Sequence, residues 1–119
     1  MAFCAAVLCS PARAAQMFDS GYKPCGDRAS TADIVSFVED KARMLDQRLN
    51  QVYAALRKQI EPKQKEALLK AQRLWIQYRD ANCRFHDSAM GSIHLVNAAE
   101  CLRMMTENRL LELEEAMRP

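Results

Sequence analysis

Between Ala71 and Cys83 the chain reads A-Q-R-L-W-I-Q-Y-R-D-A-N-C. The spacing is that of an amphipathic helix, yet its inward side mixes Trp75 and Tyr78 with Gln72 and Arg79. A helix that only fills a core uses Leu and Ala there, because a buried polar group costs free energy unless it is paired. These polar side chains therefore require partners on other elements, and so does the cysteine that ends the stretch. Whatever fold forms must supply them.

Apolar side chains recur at helical spacing on both sides of this stretch. One face runs through Ile34, Val38, Leu45, Leu49, Val52, Leu56 and Ile60. Ser30-Thr31-Ala32-Asp33 before it is a helix start, with Ser or Thr as the N-cap and an acid in the first turn. Pro62 interrupts, and proline suits the first turn of a new helix, where its missing N–H is not needed. A second face follows through Leu68, Ala71, Trp75, Tyr78, Phe85 and Ala89. Gly91 ends that helix as a left-handed cap and Ser92 caps the next. The third face is Leu95, Ala98, Leu102, Met105, Leu110, Leu113 and Met117. No strand pattern or repeat is present. The expected fold is all-α: an antiparallel up-down-up bundle of three helices, each on the order of 25–28 residues.

The chain has 119 residues, enough for one small domain, and half are hydrophobic. The formal charge is +2 with both signs interleaved. That gives no basic stripe for nucleic acid. No apolar run approaches the roughly 20 residues that span a bilayer, so membrane insertion is not expected. Met1–Cys9 is apolar, and Ala12 and Ala14 fit the small-x-small rule for signal cleavage. The expected organisation is a signal peptide over 1–14, an extended N-terminal arm over 15–30 containing Gly21, Pro24 and Gly26, and a helical domain over 31–117. The short apolar stretch with no Lys or Arg before it is what a start codon placed too late would leave. Export to the bacterial periplasm or exterior is expected.

Cleavage after Ala14 leaves Cys25, Cys83 and Cys101. Cys83 lies eight residues before Gly91 and Cys101 nine after Ser92. In an antiparallel hairpin both stand about 12–14 Å from the turn, the placement a helix-to-helix disulfide requires. The competing reading is a metal site from Cys83, His86 and Cys101, because Cys and His at i, i+3 share a face. It lacks a fourth ligand, and export favours the disulfide.

Counting from the other turn, Asp46 falls within a turn of Arg73 and Arg79, Asn50 is level with Gln72, and Thr106 and Arg109 are level with Ile76 and Arg73. Asp46, Asn50, Gln72, Arg79, Thr106 and Arg109 are therefore expected to form a polar layer that fixes helix register. A ligand-binding groove is the functional alternative. Lys63, Lys65 and Lys70 open helix two, alongside Glu112, Glu114 and Glu115 at the end of helix three.

No catalytic set is evident. Cys25 has no neighbouring His, and His86 and His94 flank a turn. There is no phosphate-binding Gly loop, no haem-attachment motif and no HExxH pair. No enzyme, no metal and no cofactor is expected.

With these residues in hand, the chain resembles the LprI-type lysozyme inhibitors, small exported bacterial proteins. The matching pieces are Asp46-x-x-Leu49-Asn50-x-x-Tyr53, then Leu68-x-x-Ala71-Gln72-Arg73-x-Trp75-x-x-Tyr78-Arg79-Asp80-Ala81-x-Cys83. Gly91-Ser92, Cys101 and Thr106-x-x-Arg109-x-x-x-Leu113 complete the match, from about Cys25 to Leu113. The resemblance implies a helical envelope protein that binds and inhibits lysozyme. It assigns Tyr53, Arg73, Trp75, Tyr78 and Asp80 to the same structural motif. Family members often carry a second Cys early in helix one, where Phe37 stands here. Cys25 is accordingly expected to be free or to link two copies. The partner-contact candidate is the turn Gly91-Ser92-Ile93-His94. The alternative function is an envelope interaction module without inhibitory activity.

Overall fold

A computed structural model describes residues 30–88 and 90–119. The expected signal peptide, the N-terminal arm and Cys25 lie outside the described residues. Three helices follow in order: α1, Thr31–Gln59; α2, Pro62–Asp87; and α3, Ile93–Ala116. Among the described residues there is no strand.

Each boundary has a local cause. Ser30 caps α1: the Asp33 N–H donates to Ser30 Oγ at 3.1 Å, and the Ser30 N–H donates back to Asp33 Oδ2 at 3.0 Å. The Ser30 hydroxyl and N–H together hold the Asp33 carboxyl below its ordinary range. The cap is thus complete at neutral pH and is lost as acidification passes below that range. Ile60 and Glu61 are both extended, and Pro62 opens α2. Proline disfavours helical geometry in the residue before it, so the chain must break at Glu61. α2 stops short of the expected glycine cap: its C-cap is Ser88, in right-handed geometry, and Gly91, at φ +84°, takes in the turn beyond it the left-handed conformation that glycine adopts without Cβ strain.

The helices run up, down and up, but they are not equal neighbours. α3 packs extensively on α1 and also on α2, whereas α1 and α2 scarcely meet. α1 and α3 run parallel and build the core from Leu49, Val52 and Leu56 against Leu110 and Leu113. Trp75 and Leu68 of α2 lean on the edge of that cluster. The Cys83–Cys101 disulfide, with its Cα atoms 5.4 Å apart, ties α2 to α3. Both sulfurs are consumed in it, which removes the Cys83/His86/Cys101 metal set.

The face expected for α1 is the buried one. The face expected for α2 is not: Ala71, Tyr78 and Phe85 are exposed, while Gln72 and Cys83 are buried. The reason is that α2 packs chiefly on α3 and therefore has one covered side. On α3 the buried row is shifted as well, to Val96, Ala99, Glu100, Arg103 and Thr106, with Leu95 exposed. The expected lysine–glutamate alignment is replaced by arginine pairs. Glu112 meets Arg109 at 2.7 Å, Glu114 meets Arg48 at 3.5 Å and Glu115 meets Arg118 at 2.9 Å.

Two stability outcomes follow from this core. Leu49→Ala, at a side chain 1% exposed, should cost about 3 kcal/mol in chemical denaturation. Replacing both Cys83 and Cys101 by Ser should cost roughly 3 kcal/mol by the same measurement. An unchanged midpoint for either variant contradicts the packing described.

Candidate functional site

The polar side chains expected in one layer separate into two clusters. In the first, Arg79 of α2 reaches across to Asp46 of α1 at 3.7 Å and to Asp80 at 3.0 Å. Its guanidinium also stands 5.0 Å from the centre of the Trp75 ring, a cation–π distance. Thr106 of α3 is buried and shares with Asp46 and Arg79 the walls of a groove. In the second cluster the Arg109 Nε–H donates to Gln72 Oε1 at 3.0 Å, and its other arm donates to Glu112. Gln72 is thus the buried amide whose partner the sequence demanded. Asn50 and Arg73 are exposed and belong to neither cluster. Tyr53 is half-buried against the core, with Arg57 over its ring at 5.9 Å.

The groove exists because α1 and α2 diverge above α3. Ala99 and Leu102 form its floor, and Glu39, Arg43, Asp46 and Arg79 stand around it, enclosing about 370 Å³. Most of its charges are already engaged: Arg79 as above, and Arg43 with Asp40, while Glu39 is exposed to solvent. Ionic side chains bound to one another offer a ligand little unsatisfied charge.

The turn between α2 and α3 is the opposite kind of surface. It protrudes, and three ties hold it. The disulfide closes its base. The Ser88 hydroxyl donates to the Phe85 carbonyl at 2.6 Å. The Nδ1 of His94 lies 3.0 Å from Asp87 Oδ1, joining the end of α2 to the start of α3. Gly91 and Ser92 are exposed at its tip, Met90 is 93% exposed and Ile93 is exposed beside them. Ser92 occupies the N-cap position of α3, but its hydroxyl makes no capping hydrogen bond. A braced loop with large apolar side chains and a free hydroxyl is a surface that can engage a protein without ordering first.

One buried group escaped the reading of the sequence. Glu100 is 0% exposed, and Arg103 beside it is buried. Arg103 donates to Glu100 Oε1 from two nitrogens, at 3.0 and 2.5 Å, and to Glu107 Oε2 at 2.7 Å. Burial works against the Arg103 charge, but the hydrogen bonds and charges of Glu100 and Glu107 outweigh it and raise its pKa. Glu100 Oε2 has no hydrogen-bond partner among the described residues. An i, i+3 Glu–Arg pair reads as a solvated ion pair; only its place between Val96, Ala99 and Thr106 signals burial.

Glu100→Ala should therefore destabilise by roughly 3 kcal/mol, because it takes from the buried Arg103 the carboxylate that accepts from two of its nitrogens and leaves it only Glu107. Glu107→Ala, at a far more exposed carboxylate, should cost under about 1 kcal/mol. Equal costs for the two variants in denaturant unfolding contradict this assignment.

Comparison with known proteins adds a family to this geometry. Residues 25–113 match the family model described as lysozyme inhibitor LprI. An uncharacterized protein of Rhizobium meliloti (strain 1021) is 30% identical, with the match covering 78% of each chain. No solved structure matches the chain.

Proposed function

The chain belongs to the LprI family of lysozyme inhibitors, and from that premise we propose that it is an exported, non-catalytic protein that binds a peptidoglycan-cleaving glycosidase and blocks its cleft. The observation that carries this reading is the braced, protruding turn from Met90 to His94. Glycosidases of this class work through two carboxylates facing across a cleft. A blocking protein needs a convex, rigid element that carries hydrogen-bond donors. The Ser92 hydroxyl and the His94 ring supply donors, and Met90 and Ile93 supply apolar contact at the rim. The groove between α1 and α2 is concave and fits this task less well.

Export is supported by the disulfide itself, since such bonds persist in oxidising compartments. No helix among the described residues is long and apolar enough to cross a membrane. The near-neutral charge gives little long-range steering toward a basic enzyme, so association relies on fit at contact.

In a lysozyme hydrolysis assay, excess protein should suppress the rate. Ser92→Ala and His94→Ala should each weaken inhibition about tenfold, and Met90→Asp at least as much. Full hydrolysis at high protein excess contradicts the proposal and leaves an envelope interaction module as the reading. Inhibition that survives all three substitutions moves the contact away from the turn.

A further inference from the structure

The outward side of α2 carries Ala67, Ala71, Leu74, Tyr78, Ala81 and Phe85. The gaps are four, three, four, three and four, an unbroken heptad seam about 27 Å long. All six residues are exposed, with Leu74 at 55%, Tyr78 at 62% and Phe85 at 71%. A helix that needs only one buried side has no use for a second apolar stripe in this register. We propose that this seam pairs with the same seam of a second copy, antiparallel, to form a two-fold dimer.

The residues select both the partner and the direction. The order of gaps is the same read from either end, so two antiparallel copies mesh about a two-fold axis level with Ile76. Ala67 then faces Phe85 of the other copy, Ala71 faces Ala81, and Leu74 faces Tyr78. Each aromatic ring meets a smaller side chain, and the Ala71–Ala81 layer lets the two backbones approach closely. A parallel pair would instead set Phe85 against Phe85 and Ala71 against Ala71.

The flanking charges agree. Lys63, Lys70, Gln77 and Arg84 line the position beside the seam, and Glu66, Arg73, Asp80 and Asp87 line the next one out, Arg73 falling level with the second copy's Gln77. In the antiparallel register each acid is level with a base of the second copy: Glu66 with Arg84, Asp80 with Lys70, and Asp87 with Lys63. Glu66 carries most of this, because Asp80 and Asp87 also serve Arg79 and His94 of their own copy. Lys70 also approaches the second copy's Arg84, and Glu66, one turn from Lys70, offsets that repulsion. A parallel pair would set the basic row beside Leu68, Trp75 and Asn82, with no acid to meet it.

The exposed parts of the six side chains amount to roughly 500 Å² per copy, or about 1,000 Å² per pair. That is the lower limit for a specific interface, so the dimer is weak, with Kd in the micromolar range. Its axis at mid-helix leaves the two turns at opposite ends, both accessible.

Analytical ultracentrifugation of the oxidised chain carrying Cys25→Ser, which removes any covalent link through that residue, reads the equilibrium. The expected result is a reversible doubling of mass between about 1 and 300 μM. Tyr78→Glu should leave the circular dichroism and melting of the chain unchanged and shift the midpoint at least tenfold upward. Glu66→Lys and Arg84→Glu should each weaken pairing, and the two together should restore it. A monomer throughout the range, a dimer indifferent to Tyr78→Glu, or a double exchange weaker than either single one would overturn the proposal.

Discussion

Among the described residues α3 packs closely on both of the other helices, which scarcely meet each other, and the structure depends on that fact. α1 is joined to it by a parallel leucine and valine core, and α2 by Trp75, the Gln72–Arg109 hydrogen bond and the Cys83–Cys101 disulfide. The two attachments differ in kind. The core between α1 and α3 is apolar and continuous, so it gains stability from burial along its length. α2 contributes few fully buried side chains, Gln72 and Cys83, and its association relies on specific bonds. A covalent tie near one end and a polar contact near the middle fix the register of a helix whose apolar contact is modest.

This asymmetry accounts for the free side of α2 and for the groove beside it. α2 rests mainly on α3 and meets α1 only along one edge, where Arg79 reaches Asp46, so its far side is free, and the space left between α1 and α2 opens the charged groove. The disulfide and the Asp87–His94 contact stiffen the α2–α3 turn more than an ordinary interhelical loop. A stiff loop loses little conformational freedom on binding, which is the physical advantage an inhibitor needs. The same bonds that compensate for the thin packing of α2 thus also stiffen the turn.

The sequence disclosed heights better than azimuths. Counting residues from a turn places two side chains level along the axis, and that sufficed for Cys83 with Cys101 and for Asp46 with Arg79. It did not place Asn50, which stands level with the others but faces outward. The α1 face was legible because a single apolar stripe leaves one choice. α2 carries apolar residues on two sides, and periodicity does not say which side has a neighbour; Tyr78 and Phe85 were read as inward for that reason. Glu100 and Arg103 were invisible because a Glu–Arg pair one turn apart has the same spacing whether wet or dry. The N-terminal segments and Cys25 lie outside the described residues.

Hydrogen–deuterium exchange before and after reduction of the disulfide tests the division of labour most directly. If α2 is held to α3 by specific bonds rather than a shared core, amides of 72–87 should lose protection on reduction, while those of 45–56 and 103–113 keep theirs. Simultaneous loss across all three helices, or no loss in α2, would contradict the account.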